Sequence, residues 1–163
     1  MLIAHMPAGY IVSKIANKKT SSLYTICGLI FSVWPDLDLF YYYFFDKTGT
    51  FHHTYFTHLP FVAVISFLIM FSLTFIKGLK KHCPYYWLFY INWGVHLVCD
   101  TFTGGIAWLY PFNDMLFTII NIPPISPNWV ISFIFHWSFT IEIAIVIWAV
   151  VLFSKQYITK DIY

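Results

Sequence analysis

Four apolar runs separated by short polar stretches organise this chain. The first, residues 22–45, is long enough to span a bilayer but holds Pro35, Asp36 and Asp38 inside it. The second, residues 59–76, runs eighteen residues without a charge and is the cleanest span of the set. The third, 85–112, is expected to stay helical to about Thr103, where the pair Gly104–Gly105 stops it. The fourth, 130–153, is continuous and carries His136 and Glu142. A helix near residues 2–16 precedes them and is too short to cross alone, and "NIPPISPNW" (121–129) reads as a proline-rich loop. The pattern therefore predicts an all-α membrane helical bundle, with about four transmembrane helices plus a short N-terminal helix. It forms one domain over residues 1–163, without an internal repeat.

Composition supports the membrane class. Hydrophobic residues make up 60% of the 163 positions and charged residues 10%, against about 25% charged in an ordinary soluble domain. All nine basic side chains are lysines, scattered between the apolar runs, so no nucleic-acid footprint is present. Cys27, Cys83 and Cys99 lack metal-site or disulfide spacing and read as small apolar residues. The first ten residues lack a basic start and an unbroken apolar stretch, so a cleaved signal peptide is not expected. With alternating spans, Lys14, Lys18, Lys19, Lys77, Lys80, Lys81, Lys155 and Lys160 fall on one side and only Lys47 on the other. The positive-inside rule makes the lysine-rich side cytoplasmic.

This topology, drawn from lysines alone, collects the ionisable side chains toward the outer half. Asp36 and Asp38 lie late in the first run, His52, His53 and His58 in the loop "FHHTYFTHLP", and His96 and Asp100 late in the third run. His136 lies early in the fourth, with Glu142 deeper, and His5 sits about 14 Å from Lys14 along a helix. An ionised group at mid-helix costs at least about 2.5 kcal/mol in a bilayer and normally faces a partner inside the bundle. Asp36, Asp38, Asp100 and Glu142 have no lysine within their own segments, so either some are protonated or divalent cations balance them. Imidazole with carboxylate is an ordinary ligand set for zinc or manganese. His96 and Asp100 stand i,i+4 on one helix face, where they form either a shared ligand pair or a hydrogen-bonded core pair. His136, between Phe135 and Trp137, reads either as a ligand or as a core histidine.

The ordered set of His5, "PDLD" (35–38), "HTYFTH" (53–58), "GVHLVCDTFTGG…WLYP" (94–111) and Glu142 resembles the bacterial YdjM-like membrane-bound metal-dependent hydrolases. That family is also described as LexA-binding and inner-membrane-associated, and it is distantly similar to zinc-dependent phospholipase C and P1 nuclease. The resemblance covers about residues 1–145 and implies two or three zinc ions, with manganese as the alternative. It also implies the ligand set His5, Asp36, His53, His58, His96, Asp100 and Glu142. Asp36 or Asp38 would act as general base, Asp38 being a ligand or an orienting partner. Thr57 and Thr103 match the family's threonines and would stand behind the ligands with His136, while His52 has no counterpart in the motif and reads as a neighbour of the ligands, a bystander behind them. The implied activity is hydrolysis of a lipid phosphoester, a phospholipid or an isoprenoid phosphate, at the outer leaflet of the inner membrane. The alternative is a non-catalytic metal-binding membrane protein, serving cation transport or scaffolding a partner. Thr54 departs from the family pattern, which has an arginine there.

Overall fold

The structure, a computed structural model, describes residues 1–16, 21–46, 51–76 and 78–160, with side chains as far as residue 156. Among the described residues seven α-helices follow one another: α1 (His5–Ala16), α2 (Ser22–Ser32), α3 (Asp38–Phe44), α4 (Pro60–Leu73), α5 (Cys83–Thr103), α6 (Trp129–Ile134) and α7 (Phe139–Lys160). Single 3-10 turns at Pro35–Leu37, His52–Thr54, Phe56–His58 and Lys80–His82 join them. Among the described residues there is no sheet; Ile106 and Phe117 form one isolated antiparallel bridge. The all-α expectation holds.

The expectation of four spanning helices does not. Among the described residues one helix is long and apolar enough to cross a bilayer, within Phe139–Gln156 of α7. The count rises to two if the bent pair Ser22–Ser32 and Pro35–Phe44 is taken as one span. The reasons are local. Pro35 opens a new turn after α2 and the two halves diverge by 59°. The uncharged run 59–76 yields a helix of only 14 residues, about 21 Å against a hydrocarbon core of about 30 Å. It ends where the hydroxyls of Ser72 and Thr74 bond back to the carbonyls of Ile69 and Phe71. α5 has 21 residues, but His96, Asp100 and Asn92 occupy its inner face. The fourth run breaks between α6 and α7, where the Ser138 N–H donates to His136 Nδ1 at 3.3 Å instead of continuing a helical ladder. Of the lysines that oriented the chain, Lys18, Lys19, Lys47 and Lys77 lie outside the described residues, as does the side chain of Lys160.

α1, α2 and α5 pack on one another, α7 packs on α1, and α4 on α5. Small residues set the α1–α2 crossing: Gly9 and Ser13 face Gly28 and Ser32, each pair spaced by four on its helix. A Cβ built on Gly28 would stand 1.9 Å from Ser13 Oγ, and one on Gly9 would stand 2.5 Å from the Gly28 carbonyl oxygen. The backbones therefore touch, as in small-xxx-small packing between membrane helices. Ser13 and Ser32 satisfy their own hydroxyls on the Gly9 and Leu29 carbonyls, so the contact buries no orphan donor. Below it, Trp93, Leu97 and Ile106 form an apolar cluster that Trp34, Phe89 and Tyr90 cover.

This crossing predicts a contrast. Gly9→Ala is expected to destabilise the protein by about 1–3 kcal/mol through overpacking. Gly94→Ala, whose Cβ meets nothing within 4 Å, should be neutral or stabilising by up to about 1 kcal/mol through helix propensity. Unfolding midpoints in detergent compare the two, and equal midpoints would contradict the close contact.

Candidate metal centre

Where α2 ends, α3 begins and α5 approaches its C-terminus, eight ionisable side chains meet. His5 opens α1, and its ring stacks on that of His96 with centroids 3.8 Å apart and planes 17° apart. Asp36 comes from the turn that Pro35 starts, and Asp38 from the first turn of α3. His52, His53 and His58 come from the two 3-10 turns between α3 and α4. Trp93 Nε1 ties this loop to α5 by donating to the Thr57 carbonyl at 2.7 Å. The helical spacing of His96 and Asp100 brings His96 Nε2 to 3.0 Å from Asp100 Oδ2.

Three of the histidines have their Nδ1 committed outward. His96 Nδ1 lies 2.7 Å from the Ser32 carbonyl and His53 Nδ1 lies 3.1 Å from the Gly105 carbonyl. Carbonyl oxygens only accept, so both Nδ1 atoms carry protons there. His58 Nδ1 donates in the same way to Asp38 Oδ2 at 2.7 Å, and Thr57 Oγ1 donates to the same oxygen at 2.6 Å. Each ring then turns Nε2 inward. Around Asp100, His53, His58 and His96 Nε2 stand 3.9, 3.7 and 3.0 Å from Oδ2, and His5 Nε2 stands 3.2 Å from Oδ1. The Met1 amino group also lies against Oδ1. Asp36 Oδ1 is 3.5 Å from His96 Nε2 and 3.7 Å from His58 Nε2.

This arrangement concentrates lone pairs. His58 Nε2 and His96 Nε2 face each other at 3.3 Å. Asp100 Oδ2, both ring nitrogens of His5, His52 Nδ1 and Asp38 Oδ1 are buried without a hydrogen-bond partner. A proton or a cation between the acceptors relieves the repulsion. Without a cation, His58 supplies the proton: burial pulls its pKa down, but the Asp36 and Asp38 carboxylates outweigh that and raise it to about 9. Burial lowers His53 to about 4 despite nearby Asp100, and it lowers His5 and His52 as well. Two groups have donor atoms close enough to hold a divalent ion: His52, His53 and His58; and His5, Asp36, His96 and Asp100. The nitrogen and carboxylate donors suit zinc or a similar divalent metal, and His5, His52 and Asp100 each bring a buried atom without a hydrogen-bond partner to these groups.

The remaining residues singled out in the sequence have different places. Both oxygens of Glu142 accept backbone N–H groups of residues 2–4, which puts it outside both groups. His136 bonds locally to Ser138, at 2.9 Å from its hydroxyl, in the turn before α7. Thr57 supports Asp38, whereas Thr103 closes α5. His52 stands closer than a bystander, its Nδ1 3.8 Å from Asp38 Oδ1 and its ring edge-on to His53. Thr54 is exposed and bonds back to the Phe51 carbonyl.

Sequence reasoning missed Gly104–Gly105 as part of the site, reading the pair only as a helix stop. A Cβ at Gly104 would stand 2.2 Å from His53 Cε1, so the imidazole rests directly on the helix end. Gly105 turns with φ +79°, a left-handed conformation that favours glycine, and presents the carbonyl that holds His53 Nδ1. The signal was the position of the pair, immediately after the His96–Asp100 turn.

No curated protein and no solved structure matches this chain. Residues 1–162 do match a family described as YdjM inner membrane protein, whose description agrees with the long apolar α7 and with the membrane-like composition. On that match over nearly its whole length, the chain belongs to the YdjM inner membrane protein family.

Proposed function

We propose that this protein is a membrane-bound, metal-dependent hydrolase that cleaves a lipid phosphoester, with zinc as the metal. The observation that carries the reading is the convergence of four imidazole Nε2 atoms on the buried carboxylate of Asp100, three of them with Nδ1 held from behind. A hydrogen-bonded structural core would satisfy its inward atoms, and here Asp100 Oδ2 and both ring nitrogens of His5 are buried without a partner. His5, Asp36, His53, His58, His96 and Asp100 are the proposed ligands. Bound there, two zinc ions would supply an acidified water and a Lewis acid for a phosphoryl oxygen. Asp38 and the Ser32 and Gly105 carbonyls fix the imidazole tautomers from outside. Asp36, whose side chain is 26% exposed while those of Asp38 and Asp100 are 5% and 1% exposed, would be the carboxylate that accepts a proton from the attacking water.

Membrane association and the surface around the site favour a lipid substrate, a phospholipid or an isoprenoid phosphate. Phe40, Tyr43 and Phe44 on α3 and Phe56 between His53 and His58 are exposed aromatics on the same elements that carry the donors. Such rings settle at headgroup depth.

Purified protein loaded with zinc should release product from a phospholipid or from an isoprenoid phosphate. Loaded protein that turns over neither would sink the substrate class. Elemental analysis should find zinc in the wild type, and Asp100→Ala should lose it. Gly104→Ala should also lower the content, although it removes no donor atom, because the added methyl displaces His53. Retention of full zinc by Asp100→Ala would contradict the site.

Uptake should also depend on pH. Zinc must displace the proton that His58 holds up to about pH 9, whereas His53 is already neutral above about pH 4. Affinity is therefore expected to rise with pH and level off above about 9, with about one proton released per ion at the His58 group near pH 7. Calorimetry in buffers of different ionisation enthalpy counts that proton, and a pH-independent affinity between 6 and 8 would rule out His58 as a ligand.

A further inference from the structure

We propose that Glu142 is a positioning residue of the metal centre. From α7 it anchors the backbone of residues 2–4, and so holds His5 against His96 and Asp100; the inference rests on the metal reading above. Glu142 lies in the first turn of α7 and is fully buried. Its Oε1 accepts from Leu2 N at 2.6 Å, and its Oε2 accepts from Ile3 N at 2.5 Å and from Ala4 N at 3.1 Å. The Ala4 carbonyl takes the first helical bond, from Ala8 N at 2.9 Å, so these amides lead directly into α1. The Ala4 amide caps the helix and has no partner within it, the Leu2 and Ile3 amides precede it and also need an acceptor, and the N-terminal end of the helix dipole favours a negative charge. One carboxylate from another helix meets both needs.

The anchor bears on the site because His5 is the next residue. Its ring lies between His96 and Asp100, and neither ring nitrogen has a hydrogen-bond partner. Unlike His53, His58 and His96, His5 has no Nδ1 support from behind, so its backbone sets its place. Removing Glu142 leaves three amides without their acceptor, the Ala4 amide among them fully buried. The segment would then move to find other partners, carrying His5 out of reach of the ion.

The test uses the full chain in detergent micelles and zinc as the probe. Glu142→Ala should weaken zinc binding about ten-fold or more, in the range typical of residues that support ligands. His5→Ala should weaken it as well, and adding Glu142→Ala to His5→Ala should change little further, because both act through one imidazole. Glu142→Gln keeps one accepting oxygen and should recover part of the loss. An equal factor from Glu142→Ala in both backgrounds would mean that Glu142 acts on the ion independently of His5, and would overturn the assignment. Hydrogen exchange at residues 2–4 in zinc-free protein supplies a readout that does not involve the metal. It should speed up in Glu142→Ala, and unchanged slow exchange would refute the anchor. Wild-type protein that takes up no zinc sinks the metal reading, and the exchange comparison then decides the anchor alone.

Discussion

Mutual repulsion among inward-facing acceptors is the constraint on which this molecule depends. Imidazole nitrogens from α1, α5 and the loop before α4 gather on one carboxylate, and two of those nitrogens approach to 3.3 Å. Such a cluster needs positive charge, part of which the Met1 amino group brings to Asp100 Oδ1. A proton on His58 can serve, and a divalent ion serves better because it engages several donors at once. The outward bonds of His53, His58 and His96 matter as much as the inward ones. Each fixes a tautomer, so the lone pairs reach the centre already aimed.

The scaffold brings these groups together by close backbone approach. Gly9 and Gly28 let α1 and α2 touch, which places the start of α1 and the end of α2 beside the same stretch of α5. Gly104 does on a smaller scale what Gly9 does, giving the His53 ring a seat on a helix end. In both places a missing Cβ positions a functional group, and neither shows as a hydrophobic pattern.

Much of the site was legible in the sequence. His96 and Asp100 share a face by helical period, and the proline before Asp36 forces the turn that points it inward. The crowded histidines between two apolar runs mark a loop with chemistry. The charge argument was less complete: it counted Glu142 among the carboxylates that need a cation, because spacing along the chain cannot reveal backbone amides delivered from more than a hundred residues away. His52 looked like a neighbour for the same reason, since only the fold of the two 3-10 turns brings it to the group. The spans misled most. Apolar length alone does not show where Pro35, Thr74 or the His136–Ser138 turn ends a helix.

By itself the sequence determined the membrane-like composition and the all-α character, and it singled out most of the side chains that the fold gathers, because hydropathy, helical period and residue chemistry are local properties. Tertiary structure decided which nitrogen of His53, His58 and His96 faces inward, that four imidazoles surround Asp100, and that Glu142 accepts the backbone amides of residues 2–4. Those outcomes depend on carbonyls, amides and missing Cβ atoms brought together from distant segments. Only the packing of α1, α2, α5 and α7 sets their distances.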